Sequence, residues 1–280
     1  MLEEQIYIAD AAIATALYLS MVLGKPLLIE GPAGVGKTEI AKALANALQT
    51  RLIRLQCYEG LDATTALYEW NYPKQLLHLK LEESSTASET EKEAMIFSEA
   101  FLLKRPLLQA ITEHERAPVL LIDEIDRSDE EFEAFLLEVL SDYQVTIPEI
   151  GSIKATHRPH VVLTSNRSRD LSDALRRRCL YHWIDYPSLE KELEIVRAKV
   201  PAIEASLARR VTEVMQATRS MSLSKIPGVA ETLDWANALV ALQAPELNEE
   251  IVAETLGCFL KDESDVAAFK AELPRICTDV

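Results

Sequence analysis

Gly31-Pro32-Ala33-Gly34-Val35-Gly36-Lys37-Thr38 is the stretch on which the reading of this chain turns. Of the eight glycines in the sequence, Gly31, Gly34 and Gly36 fall within one short loop, so backbone freedom is concentrated there. Before it, Pro26-Leu27-Leu28-Ile29-Glu30 is a short apolar run of the kind that forms a buried parallel strand. After it, residues 38–48 put Ile40, Ala43, Leu44, Ala47 and Leu48 on one face, which predicts a helix packed on a sheet. A strand, a G-x-x-x-x-G-K-[ST] loop and a helix in that order predict a phosphate loop. Its glycines let successive amides curl around an anion, and the helix beginning near Lys37 aims its N-terminal amides and dipole at the phosphates. Lys37 is placed to neutralise the β and γ oxygens of a nucleoside triphosphate, and Thr38 to ligate Mg²⁺ through its hydroxyl.

Working outward, Arg51 to Gln56 alternates as a second strand, and Val119-Leu120-Leu121-Ile122 reads as a buried strand ending in Asp123-Glu124. Asp123 is expected to orient the Mg²⁺ and its water shell, and Glu124 to polarise the attacking water. His160 to Thr164 predicts a further strand, closed by Ser165-Asn166, and in a parallel sheet the Asn166 amide would lie beside the strand of Asp123 and hydrogen-bond the attacking water or the γ-phosphate. As a guanine-specificity motif Asn166 would need an Asp three positions on, where Arg169 stands, so guanine specificity is disfavoured. Arg176-Arg177-Arg178 is the densest cationic run, and at least one of these arginines is expected to reach the γ-phosphate of a neighbouring subunit. A last strand is expected at Tyr181 to Asp185.

Other segments fill in the organisation. Ala11 to Leu23 predicts an amphipathic core helix, too short to span a bilayer and preceded by the acidic Leu2-Glu3-Glu4. Glu82 to Glu93 is Ser/Thr/Glu-rich and predicts a surface connection. Pro106 suits the first turn of a helix running to about Arg116, residues 132–140 read as helical, and Val145-Thr146-Ile147 with residues 152–155 predict a hairpin around Pro148 and Gly151. Beyond Pro187, helical spacing near 189–200, 203–219, 230–243, 249–260 and 264–272 replaces the alternation. Strands alternating with helices, then helices alone, predict an α/β domain over 1–186 and an all-α domain over 187–280. Tyr68, Trp70 and Tyr72, before Pro73, are close aromatics that either grip a partner or pack on their own domain.

Composition bounds the functions. A 280-residue chain that is 48% hydrophobic and 26% charged belongs to the folded globular class. Its net charge of −16 disfavours nucleic-acid binding. Cys57, Cys179, Cys258 and Cys277 lack zinc-ligand spacing and read as free thiols of a reducing compartment. No signal peptide, lipidation motif or membrane span is legible, so the cytoplasm is the expected location.

In this order, the loop Gly31 to Thr38 (Walker A), Leu121 to Glu124 (Walker B), a sensor-1 Asn166 and an arginine-finger region at Arg176 to Arg178 resemble the AAA+ ATPases over nearly the whole chain. The segment Asp123-Glu124-Ile125-Asp126-Arg127-Ser128, the insertion at about 58–100 and the hairpin at about 144–156 look like the MoxR family. The phrases from Gly31 through Thr38 to Glu39, and Leu55-Gln56-Cys57-Tyr58-Glu59-Gly60-Leu61-Asp62, are similar to its CoxD-type members. The resemblance implies a P-loop NTPase sheet flanked by helices with a small all-α lid, with ATP bound at Gly31, Pro32, Ala33, Gly34, Val35, Gly36, Lys37, Thr38 and Glu39 and Mg²⁺ at Thr38 and Asp123. It implies hydrolysis by Glu124, Asn166, Arg177 and Arg178, in a homo-oligomeric ring, usually a hexamer. Chaperone action on a metalloenzyme client, beside a von Willebrand factor A domain protein, is implied too. For CoxD-type members the client is a molybdenum-containing CO dehydrogenase or a relative. A nucleotide-gated scaffold with little turnover is the competing expectation.

Two departures stand out. Asp126 occupies a position where MoxR relatives often carry Asn, and no arginine lies at Val229 to Glu231, where the family's sensor-2 arginine is expected. Lys225 is the nearest cation; either it substitutes, or lid closure depends less on direct phosphate contact.

Overall fold

Runs of β-branched and leucine residues bounded by Pro, Gly or carboxylates form the inner strands, and the 3.6-residue stripes between them form the covering helices. The computed structural model describes residues 8, 10–81 and 88–279. Leu2-Glu3-Glu4 and the first part of the 82–93 segment therefore lie outside the described residues.

In chain order, α1 (Ala11–Leu23), β1 (Leu27–Glu30), α2 (Lys37–Leu48) and β2 (Leu52–Gln56) lead into α3 (Ala63–Leu67), β3 (Tyr68–Trp70), α4 (Tyr72–Leu81), α5 (Glu89–Ile96), β4 (Leu102–Lys104) and α6 (Pro106–Ile111). Then come β5 (Val119–Asp123), α7 (Glu130–Asp142), β6 (Gln144–Ile147), β7 (Gly151–Lys154), β8 (His160–Ser165), α8 (Asp173–Arg178) and β9 (Leu180–Trp183). The remainder is helical: α9 (Leu189–Lys199), α10 (Ala205–Arg219), α11 (Val229–Ala241), α12 (Glu249–Thr255) and α13 (Glu263–Asp279).

The central sheet has the order β2-β5-β8-β1-β9, with β2, β5, β8 and β1 parallel. Non-consecutive neighbours require helical crossovers, which cover both faces and explain why β1 and β5 are buried along their whole length. The register sets Gln56 beside Asp123, Ile122 beside Leu163 and Glu30 beside Ser165. Parallel strands share a C-terminal edge, so Gln56, Asp123, Ser165 and Glu30 end along one line, the edge where open α/β sheets present ligand-binding loops.

The chain divides into two compact units. Ala11–Glu30 with Leu44–His182 is centred on Leu28, Ile53, Leu120, Ile122, Val161 and Leu163 and also contains the β3–β4 and β6–β7 ribbons. Gly31–Ala43 groups with the chain from Trp183 onward, whose core is Val196, Val211, Met215, Trp235, Leu239, Phe259 and Phe269.

Several expectations need correction. α1 is apolar on all sides rather than amphipathic: Ile13, Leu17 and Ser20 are buried while Tyr18, Leu19, Val22 and Leu23 are exposed, because its sequence holds too few polar residues to make a solvated face. α6 ends at Ile111, five residues early, where the Thr112 hydroxyl returns to the Leu108 carbonyl and the Glu113 carboxylate accepts the His114 and Glu115 amides in a turn. Residues 89–93 are helical, because Ser88 and Glu91 form a reciprocal capping box. The last strand ends at Trp183, and α13 continues through Pro274. Trp70 is buried, edge-on to Tyr68 and Phe97, and so is a core residue of the insertion, whereas Tyr72 is 60% exposed. Cys57 is buried, and the side chain of Cys277 lies outside what the structure describes.

Candidate functional site

The phosphate loop leaves β1 at Glu30 and enters α2 at Lys37. Gly34 and Gly36 have φ of +74° and +92°, values that L side chains rarely adopt, and alternating them with ordinary residues curls the backbone into a nest of amides. A Cβ at Gly36 would meet no atom within 4 Å, so the concavity beside it is open. Lys37 is buried, and its Nζ donates to the carbonyls of Gly31 at 2.8 Å and Pro32 at 2.6 Å, which arches the side chain back over the loop. Gly34 is held from outside: its carbonyl accepts the Val229 and Ala230 amides at 3.0 and 3.2 Å. Lys225 is exposed in the segment before α11, and its amide, with that of Ser224, donates to Asp265. Arginine is absent from Val229 to Glu231, and the loop contact at that helix start is made by backbone amides.

The second group of functional candidates lies at the sheet edge of the other unit. Asp123, 2% exposed, ends β5 and is held on both oxygens: Oδ1 accepts the Thr164 hydroxyl at 2.5 Å, and Oδ2 accepts Arg54 Nε and a terminal nitrogen at 3.0 and 2.6 Å. Glu124 follows with φ +55° and ψ +51°, a left-handed conformation that is costly for a residue with a Cβ. The turn re-aims its carboxylate, whose Oε2 accepts Gln56 Nε2 at 3.1 Å and Arg127 at 3.3 Å, while Oε1 faces Asn166 Nδ2 at 3.4 Å. The sheet therefore brings Asp123, Glu124 and Asn166 together.

The roles of three further residues in this cluster are visible only in the structure. Thr164 bridges the two acids, its Oγ1 accepting the Glu124 amide at 2.9 Å while donating to Asp123. Asp126, 3% exposed, accepts the Asn166 and Ser168 amides and the Ser168 hydroxyl, so its carboxylate shapes the loop carrying Asn166. An Asn there would turn an amide NH₂ toward one of those donors, which is a physical reason for Asp at this position. Gln56 positions Glu124 from β2. No local pattern announces any of them, since each acts across strands. The same acids, after burial itself, push the neighbouring Cys57 thiol up to about 12.

The arginines separate by environment. Arg178 donates to the Leu137 carbonyl and to the Ser141 hydroxyl, which ties α8 to α7. Arg176 stacks over Tyr181 and stands 3.8 Å from buried Glu30. Arg177 is exposed, and among the described residues its guanidinium makes no ion pair. Arg177 and Arg178 line a cavity of about 270 Å³ with Lys25 and Arg158, a local gathering of cations in an acidic chain. Arg169, off the guanine motif, pairs with buried Glu133 and donates to the Ser128 carbonyl.

The donor chemistry suits the groups these residues would hold. Amide nests and a lysine fit polyphosphate, and the Thr38 hydroxyl and Asp123 carboxylate are hard oxygen donors of the kind that bind Mg²⁺ with much of its water retained. A phosphate loop directly after an inner strand of a parallel sheet, in a chain whose β5 runs into paired carboxylates, is the P-loop fold. Residues 27–184 match the model of the ATPase family associated with various cellular activities (AAA), and the chain belongs to that family.

Among curated relatives, the Holliday junction branch migration complex subunit RuvB of Thermotoga maritima is 23% identical over 262 residues, 91% of this chain. The chain spans 65% of that relative's length. An uncharacterised protein of Staphylococcus haemolyticus is 23% identical over 282 residues, 96% of this chain and 97% of its own. Among solved structures, a Thermotoga maritima RuvB variant superposes with a TM-score of 0.51 at 23% identity, covering 88% of this chain and 67% of that one. An ATPase candidate from Cytophaga hutchinsonii superposes at 0.51 with 16% identity, covering 100% and 92%. At these identities the likeness is one of fold. No helix among the described residues is long and apolar enough to cross a membrane.

Proposed function

We propose that the chain binds MgATP at Gly31 to Glu39 and transfers the γ-phosphoryl group to water, and that the cycle drives remodelling of a bound protein. The observation that carries the reading is the Glu124 carboxylate, held between Gln56, Arg127 and Asn166 by a left-handed turn directly after Asp123. In this reading Lys37 and the loop amides hold the phosphates, and Thr38 and Asp123 hold Mg²⁺, which neutralises phosphate oxygens when bound. Glu124 accepts the proton of the attacking water, and Asn166 orients that water. Arg177, exposed and unpaired among the described residues, serves the site of a neighbouring subunit, while Arg178 holds α8 in place.

The sequence resemblance to the MoxR family, CoxD-type members in particular, supports the finer reading. On it the chain is an α/β domain over 1–186 and a lid over 187–280, assembled as a cytoplasmic hexameric ring. Its partner is a von Willebrand factor A domain protein and its client a metalloenzyme, a CO dehydrogenase-type molybdenum enzyme. The relative RuvB acts at Holliday junctions by name, but a net charge of −16 argues against DNA as this chain's track.

The test is phosphate release by the purified protein and by Glu124→Gln. The variant is expected to bind ATP with near-native affinity and to lose turnover by about a hundredfold or more. Equal turnover would remove Glu124 from the reaction, and negligible turnover in both, with and without cell extract, would favour a nucleotide-gated scaffold. Recovery of Glu124→Gln with ATP, followed by identification of what stays attached, tests the client.

A further inference from the structure

The start of α11 touches the phosphate loop more closely than side chains would allow. Gly228 precedes the helix, and a Cβ built on it would lie 2.7 Å from Gly34 Cα, 2.8 Å from the Ala33 carbonyl oxygen and 2.9 Å from Gly34 C. Its own φ of −88° and ψ of −172° are open to any residue, so glycine is required here by the approach and not by the backbone angle. Through this gap the Val229 and Ala230 amides reach the Gly34 carbonyl, and two otherwise orphaned helix donors are satisfied by the loop.

Gly228 is fixed from behind. Its amide donates to Glu231 Oε2 at 2.8 Å, and Arg219 Nε donates to the Pro227 carbonyl at 2.8 Å. Arg219 is in turn locked, its two terminal nitrogens on the two oxygens of fully buried Glu192 at 2.6 Å each, with Thr232 at 3.0 Å and the Tyr186 ring beneath it. A bidentate, buried guanidinium has one orientation, so the Pro227 carbonyl and the helix start are set by the helical core.

A peptide plane is trans, so holding the Gly34 carbonyl toward α11 turns the Val35 N–H the opposite way, away from the helix. We propose that Gly228, backed by Glu231 and Arg219, is a positioning residue for the phosphate loop. The α11 start fixes the Gly34–Val35 peptide in the orientation that presents the Val35 amide to a polyphosphate. The inference rests on the loop's being the phosphate site. By linkage, a nucleotide that needs this orientation strengthens the Gly34 contact by the same factor that the contact strengthens nucleotide binding. This is a link between the loop and the helical core made by backbone, at a helix start that lacks an arginine.

The experiment pairs MgADP titration calorimetry with backbone amide exchange on the full chain. Gly228→Ala is expected to bind MgADP about tenfold more weakly or worse, and in the wild type saturating MgADP is expected to slow exchange at Val229 and Ala230 several-fold. Wild-type affinity in Gly228→Ala, or exchange at Val229 and Ala230 indifferent to MgADP, overturns the proposal. Should the wild type take up no MgADP, the nucleotide-site reading itself falls. The clamp is then decided on nucleotide-free protein, where Gly228→Ala must speed exchange at residues 34–36, and no change there refutes it. Should Gly228→Ala not fold, the wild-type exchange result decides alone.

Discussion

Thr164 Oγ1 donates to Asp123 Oδ1 at 2.5 Å while accepting the Glu124 amide at 2.9 Å. One hydroxyl on β8 thus orients the acid that ends β5 and the backbone turn just after it that aims the other. The β5–β8 pairing makes this possible, with Ile122 opposite Leu163 one step earlier.

Thr164→Val keeps shape and removes that hydroxyl. A buried amide and a carboxylate oxygen each lose a partner, which costs about 1–3 kcal/mol of stability. Turnover is expected to fall about tenfold or more with MgADP affinity nearly unchanged. Urea unfolding and steady-state phosphate release read the two effects, and native turnover in a folded Thr164→Val would remove the hydroxyl from the site.

Arg177→Ala and Arg178→Ala should part company. The first removes an exposed group and is expected to leave the melting temperature unchanged while abolishing turnover. The second loses two hydrogen bonds to α7 and should lower stability by about 1 kcal/mol. Mixing Arg177→Ala with Glu124→Gln should restore activity at mixed subunit boundaries, and absence of recovery counts against a shared site.

Glu192→Ala leaves Arg219 buried without its partner, and breaking a buried pair of this kind costs about 3–5 kcal/mol. The denaturation midpoint should drop accordingly. A drop no larger than that of a surface substitution would show that the pair is not holding the helical core.

Cys57 supplies a pH test. Its thiol is pushed up from the ordinary 9.0 to about 12, chiefly by burial and then by Asp123, Asp126 and Glu124. The folded state keeps the proton that the unfolded chain gives up, so this contribution to stability is present below pH 9 and is lost as pH rises from 9 toward 12. The folded thiol is therefore held protonated at pH values where an ordinary thiol begins to ionise. Iodoacetamide should therefore modify Cys57 only once urea unfolds the chain, and modification of native protein at a free-thiol rate would contradict the environment described.

The phosphate loop was legible in the chain alone, because a strand, glycines at set spacing, a lysine and a helix are local features whose chemistry follows from order. So were the acidic strand end at Asp123-Glu124 and the alternation that demands a parallel sheet. The contributions of Thr164, Gln56, Asp126 and Gly228 were not, for each depends on a neighbour 40 or more positions away, or, for Gly228, on a loop nearly 200 residues upstream. The helical limits at 116 and 272 were misjudged because a side-chain return bond at Thr112 and the accommodation of Pro274 are decided by local packing, and periodicity does not register them. Covalent order determines which backbone can curl and which residues can bear charge. Strand register and close approach decide which of those groups meet, since a hydrogen bond acts over about 3 Å and is blind to distance along the chain.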